Sequence, residues 1–172
     1  NHFVVRVLEV LEPEECFFIV EELRQGDLNV TGTNQFGCRI IQRAIEVFAT
    51  AARNFVEELL HRDTVLQLTA NKYGNFIVQL LMRFCSEMDA ADRIADCILS
   101  EEDDEFRSLC LSKFASHVIQ QALRFCTEEM VDRLCARVLH VERTGSIRFR
   151  HTRYGSFVLD TVRQRLEARL PK

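Results

Sequence analysis

The feature that most restricts the fold of this chain is a ten-residue motif that recurs along it without gaps. The copies are NQFGCRIIQR from Asn34, NKYGNFIVQL from Asn71, SKFASHVIQQ from Ser112 and TRYGSFVLDT from Thr152. A fifth segment, NHFVVRVLEV from Asn1, matches the later part of the pattern, which in the next copy reads CRIIQRAIEV. Equivalent positions lie 37, 37, 41 and 40 residues apart. This period indicates an array of similar structural units.

Each copy of the motif has the spacing of a helix, as in Ile40, Ile41, Ala44 and Ile45. The Asn, Ser or Thr that opens the motif is a typical N-cap, and the Gly or Ala after the aromatic residue permits close backbone approach. The same spacing predicts a second helix in each unit, over residues 14–23, 51–60, 90–99 and 128–139. Short connecting helices are predicted over 63–69 and 106–111, and the acidic run 101–105 is predicted to be a solvated loop between repeats.

The predicted fold class is therefore all-α, as an α-solenoid, because no single unit could bury its apolar face without neighbours. The 172 residues form one array in this interpretation. Its parts are a partial repeat over 1–33 and repeats over roughly 34–70, 71–111, 112–151 and 152–172.

Composition argues against several other classes of protein. The seven cysteines are an odd number with no CxxC pair, and most lie in apolar helical context, so reduced thiols are expected in place of disulfides or a metal site. The five histidines show no metal-ligand spacing with Cys, Asp or Glu. No nucleophile elbow or phosphate-binding loop is present, so an enzyme is not expected. No apolar run approaches the roughly 20 residues of a membrane span.

The segment Asn-x-Tyr-Gly-Asn-x-Ile-Val-Gln at Asn71–Gln79 resembles the signature helix of Pumilio-type (PUF) RNA-binding repeats. NQFGCRIIQRAIE and SKFASHVIQQAL resemble successive repeats from the C-terminal part of such an array. The resemblance covers nearly the whole chain. It implies a right-handed crescent of about four and a half three-helix repeats, whose concave face holds single-stranded RNA with one base per repeat.

In such an array two or three side chains of each inner helix contact one base. Residues i and i+4 lie one turn apart on the same face, so they can bind one base edge, and residue i+1 lies beside them, where it can stack. The predicted base-edge residues are Asn1, Cys38, Gln42, Asn75, Gln79, Ser116, Gln120, Ser156 and Asp160. The predicted stacking residues are His2, Arg39, Phe76, His117 and Phe157, all aromatic or guanidinium. Solvated polar flanks are the alternative for any single helix, but two phenylalanines at equivalent positions argue against it.

Charge is distributed unevenly, although the net charge is −4. The four full motif copies contain five cations and one carboxylate, Asp160, so the predicted inner face is basic and the rest of the chain acidic. The predicted RNA-backbone contacts are Arg43, Lys72, Lys113 and Arg153.

The resemblance also implies a base for each pair. Asn with Gln, as in Asn75/Gln79, reads uracil, and Cys with Gln, as in Cys38/Gln42, reads adenine, which would place Cys38 on an exposed face. The other pairs depart from the family pattern. Ser116/Gln120 lacks the glutamate used for guanine and suggests adenine or a relaxed purine. Ser156/Asp160 has a shorter acceptor, compatible with guanine or weak binding, and Asn1 has only Val5 as its partner.

RNA runs antiparallel to the protein in this family, so the implied site is 5′-(G or N)-(A/G)-U-A-(U/N)-3′, a UGUA-like sequence with a UA core. The resemblance further implies binding of mRNA 3′-untranslated regions, translation repression in the cytoplasm, and deadenylase or repressor partners on the convex face or loops. It implies a monomer, no cofactor and no membrane association. Two alternatives remain open from the residues: a protein-binding armadillo or HEAT-like solenoid, and an atypical PUF relative of low base specificity in ribosome biogenesis.

Overall fold

The computed structural model describes residues 2–169, and in that range every regular element is helical. The α-helices are α1 (His2–Val10), α2 (Pro13–Cys16), α3 (Phe18–Gln25), α4 (Leu28–Thr33), α5 (Gly37–Phe48), α6 (Arg53–Leu59), α7 (Arg62–Ala70), α8 (Gly74–Phe84), α9 (Ala90–Leu99), α10 (Asp103–Leu111), α11 (Ala115–Phe125), α12 (Glu128–Thr144) and α13 (Arg153–Glu167). Two 3₁₀ turns, Ser86–Met88 and Phe149–His151, complete the described elements.

The helices that carry the motif form one layer, the inner row, made of α1, α5, α8, α11 and α13. Each packs on the next along the chain, so equivalent residues of successive repeats lie side by side. The second helices of the repeats form an outer row, made of α3, α6, α9 and α12. The short helices α4, α7 and α10 each pack against two successive inner helices. The predicted all-α solenoid is confirmed.

The polar residue that opens the motif fixes the turn into each inner helix. The Oδ1 atom of Asn71 accepts hydrogen bonds from the backbone N–H groups two and three residues ahead, at 2.7 and 3.0 Å. Asn34 and Ser112 accept the equivalent pairs of N–H groups. Thr152 differs, because its hydroxyl donates to the carbonyl of Phe149 at 2.9 Å. Three of the four full copies therefore use the predicted cap to satisfy free backbone donors.

The glycine after the motif aromatic is required by packing in the best-matched copy. A Cβ atom at Gly74 would lie 2.8 Å from the backbone of Leu68 in α7. Such a distance is not sustained by real Cβ contacts, so the close approach of α7 to α8 depends on the missing side chain. This is the close backbone approach predicted from the sequence.

One continuous apolar core runs through the repeats between the helix layers. Its largest fully buried side chains include Phe48, Phe55, Phe106 and Phe149, which come from successive parts of the array. Phe48 also meets the ring of Phe17 edge-on, with centroids 5.5 Å apart. Because each repeat buries its apolar face against its neighbours, stability is shared between units as in other solenoids.

The seven cysteines are free thiols, and all except the half-buried Cys97 are buried. Burial raises the pKa of the Cys85 thiol to about 11, because a low-dielectric surrounding disfavours the thiolate. The sequence placed Cys38 on an exposed face, and this was wrong: its side chain is only 3% exposed. It is packed at the start of α5, where its thiol donates to the carbonyl of Gln35 at 3.5 Å.

The acidic run 101–105 is only partly a loop, which corrects the prediction. Asp103, Asp104 and Glu105 form the first turn of α10. Carboxylates are favourable there because the N-terminus of a helix carries partial positive charge. Asp103 also pairs with Arg137 of α12 at 2.9 Å. The run therefore begins a helix and joins it to the outer row.

The outer helices follow the predicted positions with some differences in their bounds. α9 covers 90–99 as predicted, whereas the segment 14–23 is divided into α2 and α3 at Phe17. α12 continues to Thr144, five residues beyond its predicted end. The extension is stabilised at its C-terminus by Arg107, whose Nε donates to the carbonyl of Val141 at 3.3 Å.

Ion pairs connect each outer helix to the next repeat. They are Arg24–Glu58 at 2.8 Å, Arg93–Glu57 at 2.7 Å, Arg133–Asp96 at 3.0 Å and Arg165–Glu128 at 2.6 Å. The hydrogen bond from Arg93 lowers the pKa of Glu57. Exposed pairs contribute at most about 1 kcal/mol each, so their main effect here is on the register between repeats.

Candidate nucleic-acid interface

A row of planar, exposed side chains follows the inner helices, with one on each helix. Its members are His2, Arg39, Phe76, His117 and Phe157. Because the inner helices pack side by side in chain order, these residues lie on one continuous surface. Phe76 is 53% exposed, so a large apolar ring is in contact with solvent at the centre of the row. The structure thus places every predicted stacking residue where a planar ligand could reach it.

The first residue of each predicted edge-reading pair lies deeper than the second. Cys38, Asn75 and Ser116 are buried, and Ser156 is half-buried. Burial raises the pKa of the Cys38 thiol, which keeps it a neutral group. Asn1 lies outside the described residues. Cys38, Asn75 and Ser116 therefore offer little accessible surface to a base that lies on the inner row.

The second residue of each pair stands closer to solvent, one helical turn further on. Gln42, Gln79 and Gln120 are half-buried and Asp160 is exposed. Val5, the equivalent residue of α1, is half-buried and offers no polar group. The three glutamines place amides, which both donate and accept, at matching heights on three neighbouring helices.

Asn75 and Gln79 form an ordered pair of amides. The Nδ2 group of Asn75 donates to the carbonyls of Asn71 and Lys72, at 2.8 and 3.1 Å. Its Oδ1 atom accepts from Nε2 of Gln79 at 3.0 Å. These bonds fix the orientation of both side chains, so the Oε1 atom and the second N–H of Gln79 are the amide groups available to a ligand.

The pair Ser116/Gln120 is less completely bonded. Nε2 of Gln120 donates to the backbone carbonyl of Ser116 at 3.1 Å. The Ser116 hydroxyl is fully buried and has no hydrogen-bond partner among the described residues. An unsatisfied buried hydroxyl is uncommon and costs stability, and at 0% exposure it offers no surface to a ligand, so the Gln120 amide is the accessible polar group of this pair.

The last pair is arranged differently. The hydroxyl of Ser156 donates to the carbonyl of Arg153 at 2.8 Å. The carboxylate of Asp160 lies 3.5 Å from the guanidinium of Arg163. Asp160 therefore presents an exposed acceptor that is partly neutralised by its neighbour, with no second amide beside it.

The cations predicted to contact an RNA backbone fall into two groups. Lys72, Lys113 and Arg153 each lie over the ring of the motif aromatic that follows them, at 4.5, 5.7 and 5.8 Å from the centroid. Arg43 differs, because its guanidinium pairs with Glu46 at 2.8 Å. Three of the four cations are therefore held near the start of inner helices, and the fourth is neutralised within its own helix.

A cleft of about 850 Å³ opens between α1, α5 and α8. It joins predicted residues from three helices: His2, Val5, Cys38, Arg39, Gln42 and Phe76. The sequence reasoning missed the rest of its lining, which includes Gln35, Phe36 and Tyr73 from the motif turns. The recurrence of the motif aromatic in every full copy was the sequence signal for this part of the lining. At the sequence level that residue served only to define the repeat.

Among residues 2–169, no helix combines the length and apolar character needed to cross a membrane. The same part of the chain contains no group of three or more His, Cys, Asp and Glu side chains placed to hold a metal ion.

Comparison with protein-family models matches the chain to the Pumilio-family RNA-binding repeat, over residues 32–60, 65–99 and 106–139. These three segments cover more than half of the chain and coincide with the units built on α5, α8 and α11. No curated protein matched the sequence in a separate search.

Solved structures share the fold at low sequence identity. The Puf4 RNA-binding domain bound to an HO endonuclease RNA 3′ UTR recognition sequence has a TM-score of 0.79 and 20% identity, over 100% of this chain and 50% of that one. PUF-8 in complex with PBE-RNA has a TM-score of 0.77 and 20% identity, over 96% and 48%. The RNA-binding domain of yeast Puf5p bound to SMX2 RNA has a TM-score of 0.74 and 15% identity, over 99% and 49%. The chain thus spans about half the length of the structures it matches.

Proposed function

The chain belongs to the Pumilio family of RNA-binding repeat proteins, and on that basis we propose that it binds single-stranded RNA in a sequence-dependent manner. The observation that carries the proposal is the exposed planar residue on every inner helix, with a half-buried glutamine one turn away on three of them. Stacking on such residues contributes affinity, and polar groups beside them can discriminate base edges.

The base preferences follow from the pairs, with RNA antiparallel to the protein. Gln79, oriented by Asn75 and with Phe76 as the stacking residue, reads uracil, because its free Oε1 and second N–H match the N3–H donor and a neighbouring carbonyl acceptor of that base. Cys38 and Gln42, with Arg39, read the adenine that follows it. These two repeats define a UA core within a UGUA-like site.

The remaining pairs are proposed to discriminate less. Gln120 replaces the acceptor that guanine requires, so Ser116/Gln120, with His117, accepts adenine or either purine. Ser156/Asp160, with Phe157, accepts guanine or binds weakly, and the position of Asn1, with His2, lacks a polar partner at Val5. Lys72, Lys113 and Arg153 contact phosphates, whereas Arg43 contributes less because it is paired with Glu46.

The regulatory role is proposed from the family. RNAs with such a core in mRNA 3′-untranslated regions are the expected targets in the cytoplasm, with translation repressed through deadenylase or repressor proteins on the outer row or loops. Lower base specificity, as in a ribosome-biogenesis relative, is the second candidate function. It is favoured by the unsatisfied hydroxyl of Ser116 and the single acceptor at Asp160.

Fluorescence-anisotropy binding near 150 mM salt tests the proposal. The oligonucleotides carry UGUA, UAUA and scrambled cores, together with the matching DNA. We expect RNA with a UA core to bind about 5- to 150-fold more tightly than RNA in which the U or the A is changed, since each lost pair of edge contacts costs roughly 1–3 kcal/mol. Equal, salt-sensitive binding to all RNAs would favour the second candidate, and no binding to any RNA would refute both.

A further inference from the structure

One repeated sequence feature has no role in the base reading proposed above. The tripeptide Arg-Phe-Cys occurs at 83–85 and again at 124–126, at the C-terminal ends of α8 and α11. Its residues lie eight to ten positions after Asn75 and Ser116, which is two helical turns beyond the first base-edge residues.

The arginine and phenylalanine of this tripeptide are exposed in both copies, whereas Cys85 and Cys126 are buried. Phe125 is 47% exposed and Phe84 is also exposed, although both are large apolar rings. Within the described chain no ion pair joins Arg83 or Arg124 to a carboxylate, and the guanidinium of Arg83 lies over the ring of Phe84, 5.4 Å from its centroid. The opposite holds at the corresponding ends of α1 and α5, where Arg6–Glu9 and Arg43–Glu46 form ion pairs at 3.0 and 2.8 Å.

Arg83 and Phe125 line one cleft on the inner row, of about 290 Å³, between α5, α8 and α11. One side of the cleft consists of Gln42, Phe76 and Gln79, which belong to the proposed base-reading surface. The other side is unassigned and consists of Glu46, Leu80, Arg83, Gln121 and Phe125. The cleft is therefore continuous with the proposed RNA path and extends it toward the C-terminal ends of the helices.

The register between repeats explains why a cation and an aromatic ring line the same groove at one place among the described residues. Let i be the first base-edge position of each repeat. At each groove between two inner helices, the first helix then contributes residue i+8 and the next helix contributes residue i+9. Along the array these pairs are Glu9/Val47, Glu46/Phe84, Arg83/Phe125 and Arg124/Arg165. Only the third combines a cation with an aromatic ring, and Arg165 of the fourth is already paired with Glu128.

We infer that this cleft binds one additional nucleotide of the same RNA strand, beyond the one base held at each repeat. The inference rests on the proposed function, because the nucleotide is delivered by an RNA already bound at Phe76 and Gln79. Its base lies against the ring of Phe125 and the side chain of Leu80, and its phosphate contacts the guanidinium of Arg83.

The chemistry of the cleft fits a nucleotide. Aromatic rings stack on any base, and an arginine without a carboxylate partner binds phosphate through several N–H donors. The cleft is slightly smaller than typical pockets for drug-sized ligands, which suits a single base. Glu46 and Gln121 provide an acceptor and an amide at the edge of the same space. A base with an exocyclic amino group can donate to that carboxylate.

The test uses RNAs with the UA core and one extra nucleotide on either side of the central uridine, because the cleft flanks α8. Each inserted RNA is paired with one that carries an abasic nucleotide at the same place, so the backbone is identical. We expect the wild-type chain to bind at least one base-bearing insertion about 5- to 150-fold more tightly than its abasic partner, as stacking of one base requires. Phe125→Ala is expected to abolish this difference in affinity, whereas Phe18→Ala, which removes an exposed ring from α3 in the outer row, retains it.

Arg83 provides a second, independent measurement. For the inserted RNA, Arg83→Gln is expected to reduce the slope of log affinity against log salt by about 1, as loss of one phosphate contact does. Arg124→Gln is the matched control. Equal affinities for base-bearing and abasic insertions at both positions would overturn the inference, provided the uninterrupted core RNA still binds. Failure of the uninterrupted RNA to bind would instead contradict the proposed function.

Discussion

Replacing Phe76 with alanine is expected to weaken binding of UA-core RNA by about 5- to 150-fold, measured by fluorescence anisotropy near 150 mM salt. Base–aromatic stacking contributes roughly 1–3 kcal/mol per base, and Phe76 is the exposed ring at the centre of the inner row. Because the ring stacks on any base, the affinity should fall while the order of preference among bases is retained.

Phe18→Ala is the matched control for this substitution. Phe18 is 59% exposed but lies on α3 in the outer row, away from the inner surface. Both variants remove an exposed ring from a helix, so their effects on folding should be similar and can be compared by thermal unfolding. Equal RNA affinities of the two variants would contradict the assignment of Phe76 to the binding surface.

The second large effect concerns stability at alkaline pH. The free energy of unfolding is expected to fall steeply between about pH 8.5 and 11, because the folded chain buries thiols that the unfolded chain exposes. Burial raises the pKa of Cys85 to about 11 and that of Cys110 still further. For Cys126, burial is the main cause and the nearby carboxylate of Asp92 adds to it.

The sign follows from proton binding in the two states. Below the ordinary thiol pKa of about 8.5, both states keep the proton and the stability is unaffected. Above it the unfolded chain loses protons that the folded chain retains, so the unfolded state gains about 1.4 kcal/mol per thiol for each pH unit. Three strongly shifted thiols together lower the free energy of unfolding by about 4 kcal/mol per pH unit. Over two to three pH units, this loss is comparable to the whole folding stability of many domains.

Urea unfolding at pH 8, 9 and 10 in the presence of a reductant measures this slope. Cys85→Ala should lower the stability at pH 8, because it removes buried volume, and yet make its fall with pH shallower. Cys97→Ala, at the half-buried position, should leave more of the slope intact. A free energy of unfolding that stays constant from pH 8.5 to 10 would show that the thiols do not titrate differently in the two states.

Much of the fold could be predicted from the sequence because a solenoid repeats the same local contacts. The motif period located the inner helices, and the apolar spacing in α9 gave its bounds. The acidic run was harder, because a block of like charges suggests a loop, while three of its carboxylates are stabilised at the N-terminus of α10.

The burial of each site residue could not be predicted from the residue pattern of its own helix. Cys38 lies on the correct side of α5, but it is buried at the start of that helix, where its thiol donates to the carbonyl of Gln35. The orphan hydroxyl of Ser116 likewise depends on the orientation that Gln120 adopts. The cleft between Arg83 and Phe125 joins residues one repeat apart, so the tripeptide was visible in the sequence but its partner across the groove was not.

The measurement that tests the central claim most directly is the base profile at the central uridine, for the wild-type chain and for Gln79→Glu. The four RNAs differ only at that base, and Gln25→Glu places the same charge on α3 in the outer row as the control. A carboxylate cannot donate the N–H that the Gln79 amide supplies, so the uracil preference should be eroded in Gln79→Glu and kept in Gln25→Glu. An unchanged order and spread of affinities in Gln79→Glu would contradict the reading of one base by each pair on the inner row.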